Sequence, residues 1–161
     1  MDPKYAAGQV RLSREFFCRT IECLTEEDSD FTPVEGIYSV AHHVAHAAFT
    51  VDWFIEGAFR PEGFDMDFEA HDKAARAVSS LTEARAMLDR SFESAAALLE
   101  SKTAEELAQP IPDGPIMGGA PIYTLVHAIE EHTAHHRGAL SIYARCRGKV
   151  PAMPYGGVEA S

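Results

Sequence analysis

Between Ile122 and Tyr143 an apolar stripe recurs at helical spacing, and two histidines sit in it without breaking its phase. Ile122, Leu125, Val126, Ile129, Ala139, Leu140 and Tyr143 define the stripe, and His132 and His136 continue it. Residues four apart on a helix leave the same face about one turn from each other. Both imidazoles are therefore expected to point into a helical core, where each ring nitrogen needs a partner. A lone inward histidine is ordinarily met by a hydrogen bond and does nothing more. Two in phase on one inward face have the spacing that two ligands of one metal ion require, and the ion is a partner for both.

The remainder of the chain reads as three more long helices and their connectors. Apolar residues three or four apart predict a helix from about Tyr5 to Leu24, closed by Glu26-Glu27-Asp28 and Pro33. Ser39 is a suitable cap for a second, running to about Ala58 before Pro61. A capping box at Ser80-Leu-Thr-Glu83 starts a third, with residues 71–79 as a separate turn of helix before it. Arg60 to Ala70, with Pro, Gly and two Asp, is expected to be a loop. Thr103-Ala-Glu-Glu106 is a further capping box, held to a turn or two by Pro110 and Pro112. The irregular Pro110–Pro121 segment leads into the fourth helix, which Pro121 opens and Gly148 stops after Arg147. The Val150-Pro-Ala-Met-Pro-Tyr tail should be extended. With no βαβ alternation and no repeat, the economical fold is all-α, an antiparallel four-helix bundle forming one domain over residues 1–161.

Composition narrows the function classes. A net charge of −11 and the absence of a basic stripe argue against nucleic acid and against anionic membrane surfaces. Neither a signal peptide nor an apolar run of about 20 residues is evident. Cys18, Cys23 and Cys146 are scattered and odd in number, so they read as free thiols in a reducing cytoplasm with no catalytic role. A small-molecule substrate is the partner this leaves.

Three of the eight histidines lie in the second helix, at Ser39-Val-Ala-His42-His43-Val-Ala-His46. That helix is apolar over a wide arc, so phase does not say which side meets the fourth helix. His42, His43 and His46 are all candidate third ligands on spacing, and a closed four-His site using His42 and His46 is also compatible with it. The ordinary reading of His42 and His43 is a partly exposed position near the helix start. His127 lies five before His132, an offset of about 140°, and should not share the site. His71 falls in a polar segment expected to be exposed. His135, about 100° from His136, is expected at the surface or behind the ligands. Glu130 and Glu131 could orient a ligand, but solvated carboxylates are the commoner outcome. The H-E-x-x-H of zinc proteases is absent.

The run His132-x-x-His135-His136-Arg137-Gly138 after a Gly/Pro-rich loop resembles the C-terminal signature of the DinB-like (DNA-damage-inducible) superfamily of four-helix bundles. Val44-Ala-His46-Ala with Asp52-Trp53-Phe54 is similar to that family's second helix, as is the Gly148-Lys-Val-Pro tail. The resemblance implies a three-His site for a divalent ion, commonly zinc or nickel, with His46, His132 and His136 as ligands. It implies structural roles for Arg137, a polar contact, and Gly138, a close helix approach. Ala139 stands where relatives often carry Gln or Glu. Homodimerisation is likewise implied by the resemblance alone.

Three neutral imidazoles leave the ion its full charge and an open position, the pattern of a catalytic rather than a structural site. Characterised relatives include enzymes that use low-molecular-weight thiols such as mycothiol or bacillithiol in transfer or isomerisation reactions. The implied activity is therefore metal-dependent S-transfer from such a thiol to a small electrophile, with the Gly114–Pro121 loop able to cover the site. The alternatives are a hydrolase in which metal-bound hydroxide attacks, and a non-catalytic metal- or small-molecule-binding stress protein. No side chain in the sequence identifies a catalytic group beyond the ligands.

Overall fold

The computed structural model describes residues 1–156. All the regular elements among them are helical: α1 (Pro3–Ile21), α2 (Val40–Phe59), α3 (Phe68–Arg76), α4 (Leu81–Glu100), α5 (Ala104–Leu107) and α6 (Leu125–Cys146), with 3-10 turns at Glu26–Asp28 and Ile122–Thr124. Local chemistry explains their ends. Asp2 accepts from the backbone of Tyr5 and places Pro3 in the first turn of α1. Ser39 accepts from the backbone of His42. Ser80 accepts from the backbone of Glu83, and Thr103 forms a reciprocal capping box with Glu106. Gly148, at φ 71°, takes the left-handed position that closes α6, and the Lys149 amide returns to the Ala144 carbonyl at 2.9 Å. α1 stops short of the expected Leu24, because Thr25 and Asp28 form their own capping box and turn the chain there.

The four long helices make the bundle. Round its perimeter the neighbours run α1, α4, α2, α6, so the consecutive helices α1 and α2 face each other across the core. Side-chain partners give the directions. Arg14 pairs with Asp89 while Arg11 reaches Glu93 and Glu100, so α1 and α4 are antiparallel. His43 meets Tyr143 while Phe54 meets His132, so α2 and α6 are antiparallel as well. Asp52 meets Ser91 while Phe59 lies under Lys102, so α2 and α4 run the same way. Two parallel neighbours cannot be joined by a tight turn; the chain must travel back the length of the bundle.

α3 makes that return. Phe68 lies beside Trp53, with ring centroids 6.0 Å apart, and at the other end, just before α2 begins, the Tyr38 hydroxyl donates to Asp72 at 2.6 Å. Arg76 stacks on the Tyr38 ring. The segment expected to be a loop through Ala70 is therefore helical from Phe68. Asp67 accepts from the Ala70 amide and starts the helix early, and Ala75 is buried against the bundle. The wide apolar arc of α2 has the same cause: α3, α4 and α6 all pack on it, and Ala41, Ala45, Ala47 and Ala48 are fully buried. Among the described residues no helix is long and apolar enough to cross a membrane.

Candidate metal centre

Because α2 and α6 are antiparallel, His46 falls opposite the His132–His136 pair. Its ring centroid is 5.2 Å from that of His132 and 4.8 Å from that of His136. One ring nitrogen from each of the three lies within 4.8 Å of the other two. His132 Nε2 and His136 Nε2 are 3.2 Å apart. Zinc–nitrogen bonds of about 2.0–2.1 Å at tetrahedral angles put two ligand nitrogens about 3.4 Å apart, so the group fits a divalent ion of that size. His136 is buried, whereas His46 and His132 are half-buried.

The other histidines divide by local chemistry. His42 is spent on the helix start: its Nδ1 accepts from the Ser39 amide at 3.2 Å, completing a capping box with histidine at the third position. His43, expected to be partly exposed, is buried at 9% exposure. Its Nδ1 is 2.9 Å from His136 Nδ1, and its Nε2 is 3.2 Å from the Tyr143 hydroxyl. The correction follows from the α6 face, which presents both partners to that point of α2. His135 is exposed, with its ring edge-on to His136. His127 is exposed beside Glu130, and Glu131 is exposed too.

Burial is the main electrostatic force on the group. It pushes the pKa of His136 furthest down, helped by His132 and His46. Burial, then His46, lowers His132 to about 4, and burial likewise lowers His46. All three shifts favour the neutral imidazole, the state in which it binds metals.

Residues 9–140 match the DinB superfamily. The chain belongs to that superfamily. Its fold is similar to YfiT from Bacillus subtilis, described as a probable metal-dependent hydrolase with an unusual four-helix bundle topology. The two are 15% identical, with a TM-score of 0.70 over 91% of this chain and 88% of that one. No curated protein matches.

In this DinB-superfamily chain a cavity of about 170 Å³ opens beside the group. His46 and His132 line it, together with Phe49, Thr50, Trp53 and Phe54 of α2 and Phe68 and His71 of α3. His71, expected to be exposed, is half-buried there, because the crossover returns along α2. No residue of Gly114–Pro121 lines the cavity, whose wall beyond α2 and α6 comes from α3. Arg137 does make its polar contact, donating to the Tyr155 hydroxyl at 3.2 Å and lying over the Phe16 ring. Gly138 has no close helix approach: a Cβ there would meet nothing within 4 Å. The three cysteines are free. Burial raises the pKa of Cys18, although Arg14 and Arg85 pull it the other way.

Proposed function

We propose that the protein is a metal-dependent enzyme joining the sulfur of a low-molecular-weight thiol to a small, mainly apolar electrophile. The observation that carries this reading is that two members of the three-His group, His46 and His132, are also walls of an aromatic cavity. His46, His132 and His136 are the proposed ligands, and zinc or nickel the proposed ion. When bound, a divalent ion held by neutral imidazoles supplies Lewis acidity and lowers the pKa of a thiol or water.

The chain's own contribution is to bind and orient. Phe49, Trp53, Phe54 and Phe68 offer flat apolar walls to the electrophile and exclude water from it. With a chlorodinitrobenzene as electrophile, the S–C bond forms, the C–Cl bond breaks, and the thiol proton leaves with chloride. Such a transfer asks for no further acid or base from the walls, which suits an aromatic lining.

A specific observation favours a second reading, hydrolysis. His71 stands on the same cavity with its Nε2 3.6 Å from Asp65 Oδ2, giving the site an imidazole able to accept a proton. The description of the Bacillus subtilis neighbour as a probable metal-dependent hydrolase supports it as well.

Elemental analysis of untagged protein comes first, beside the His132→Ala/His136→Ala variant. About one zinc or nickel per chain, lost in the variant, is expected. The cobalt-substituted protein is then titrated with cysteine. A sulfur-to-cobalt charge-transfer band, with consumption of chlorodinitrobenzene, supports S-transfer. No band, with turnover of a nitrophenyl ester, would replace it by hydrolysis. A folded protein that holds no metal after reconstitution sinks both.

A further inference from the structure

Among the described residues, His136 is the one member of the three-His group whose second nitrogen is engaged inside the fold, and the partners form a chain. His136 Nδ1 lies 2.9 Å from His43 Nδ1, His43 Nε2 lies 3.2 Å from the Tyr143 hydroxyl, and that hydroxyl lies 3.0 Å from the Tyr38 carbonyl oxygen. We propose that the Tyr38 carbonyl, acting through Tyr143 and His43, fixes the tautomer of His136 so that its Nε2 carries a bare lone pair toward His46 and His132. His43 and Tyr143 are then positioning residues for the site.

The direction of every bond follows from the one group that has no choice. A carbonyl oxygen only accepts, so the Tyr143 hydroxyl spends its single proton on Tyr38. The Tyr143 oxygen is left as an acceptor, and His43 must give it the Nε2 proton. His43 is buried, and a neutral ring holds one proton; with that proton on Nε2 against Tyr143, its Nδ1 is bare and accepts. Across the 2.9 Å contact His136 must then donate from Nδ1. One proton per neutral ring leaves His136 Nε2 bare. Without an ion, His132 meets that lone pair by donating from its own Nε2 at 3.2 Å. With a divalent ion held by the group, His132 would carry its proton on Nδ1 instead, while His136 would keep the same tautomer. The tautomer of an imidazole is set by the bond its other nitrogen makes. Here the bond is set two residues further back, by the main chain at the entry to α2.

The arrangement is built from both sides of the α2–α6 contact. Tyr38 and His43 come from the start of α2, and Tyr143 and His136 from α6, two turns apart. The Tyr143 ring also packs edge-on to His43, with centroids 5.1 Å apart, so the hydroxyl cannot swing away without leaving the core. Among the described residues neither His46 nor His132 has a comparable anchor, and His132 meets the His136 ring nitrogen.

The test uses metal-free, uniformly 15N-labelled protein. Long-range proton–nitrogen correlation spectra assign the tautomer of each buried histidine. Expected are an Nδ1–H tautomer for His136 and an Nε2–H tautomer for His43, with the Tyr143→Phe variant showing mixed tautomers at both. Zinc titration supplies the second readout. His43→Leu, which leaves the His136 Nδ1–H without an acceptor, should weaken zinc binding 10- to 100-fold. His43→Gln, which keeps an acceptor and a donor, should recover most of that, with helical circular dichroism unchanged in both. An Nε2–H tautomer for His136 in the wild-type protein overturns the proposal, and so does unchanged zinc affinity in a folded His43→Leu variant. The zinc arm rests on the metal reading, whereas the spectra do not. The expected tautomers without zinc binding would uphold the chain of bonds and remove the metal reading alone.

Discussion

Trp53 Nε1 donates to the Asp65 carbonyl at 2.6 Å, tying α2 to the connector that becomes α3. The same indole packs on Phe64, with centroids 4.6 Å apart, so one side chain both lines the cavity and holds the connector to α3 in place. Trp53→Phe keeps an aromatic wall and removes the bond. A net hydrogen bond contributes about 1 kcal/mol, so amide exchange over residues 64–76 should quicken about fivefold while the rest of the bundle is unchanged. Equal protection in both proteins would show that the crossover is held by packing alone.

His42 and His46 lie one turn apart on α2 and answer differently to the same substitution. His42→Ala removes the capping-box partner of Ser39 and should cost about 0.5–1 kcal/mol in a thermal melt, with metal content unchanged. His46→Ala should leave the melt of the metal-free protein nearly unaltered and remove the metal. Elemental analysis and calorimetry on the two variants separate the roles. If the outcomes are exchanged, the third ligand has been misassigned.

How much of this was open to a reader of the sequence depends on which forces are local. The long helices were legible because the apolar phase carries over each of them and Ser39 and Ser80 cap α2 and α4 through bonds spanning three residues, as Thr103 does for the short α5. The inward aim of His132 and His136 was legible for the same reason. His42, His43 and His46 could not be ranked by spacing, since their separation depends on where α6 packs against α2. The family resemblance chose His46, and the structure brings that residue to the α6 pair. The role of His43 was hidden, because Tyr143 reads as an ordinary apolar-face residue until its hydroxyl is seen at His43 Nε2. α3 was missed in part because the demand for it comes from the parallel packing of α2 and α4, a relation between distant segments. His71 was misjudged with it.

Two helical glycines should respond to alanine with opposite signs. At Gly57 a Cβ would lie 2.2 Å from Phe64 Cδ1 and 2.5 Å from its Cγ, so the ring packed on Trp53 must move. Overpacking of that kind costs about 1–3 kcal/mol, more than the roughly 1 kcal/mol that alanine gains over glycine in a helix. Gly57→Ala is therefore expected to be net destabilising and to reshape the cavity. Gly138→Ala meets nothing within 4 Å and should stabilise by up to about 1 kcal/mol. Urea denaturation of the two variants reads both signs. A destabilised Gly138→Ala would mean that this position serves a contact beyond the single chain.

Asp28 joins the turn before α2 to the end of α6, and its acidity gives the fold a pH signature. Its carboxylate is fully buried, with Arg147 Nε at 2.9 Å, the Thr25 amide at 2.8 Å and the Lys149 ammonium beside it. Burial alone would raise its pKa, but Lys149, the Thr25 amide and Arg147 together outweigh that and hold it below the ordinary carboxylate range. A folded-state pKa below the unfolded one, about 3.9, means the contribution is fully present above that value. It is lost as pH falls through the folded-state pKa. Asp28→Asn cannot pair with the two cations, and discounting for their partial exposure it should cost about 1–3 kcal/mol at pH 7. Melts from pH 7 down to pH 3 should show the gap between wild type and variant constant to about pH 5 and narrowing below about pH 4. A gap independent of pH would mean that Asp28 acts through shape and neutral hydrogen bonds rather than through its charge.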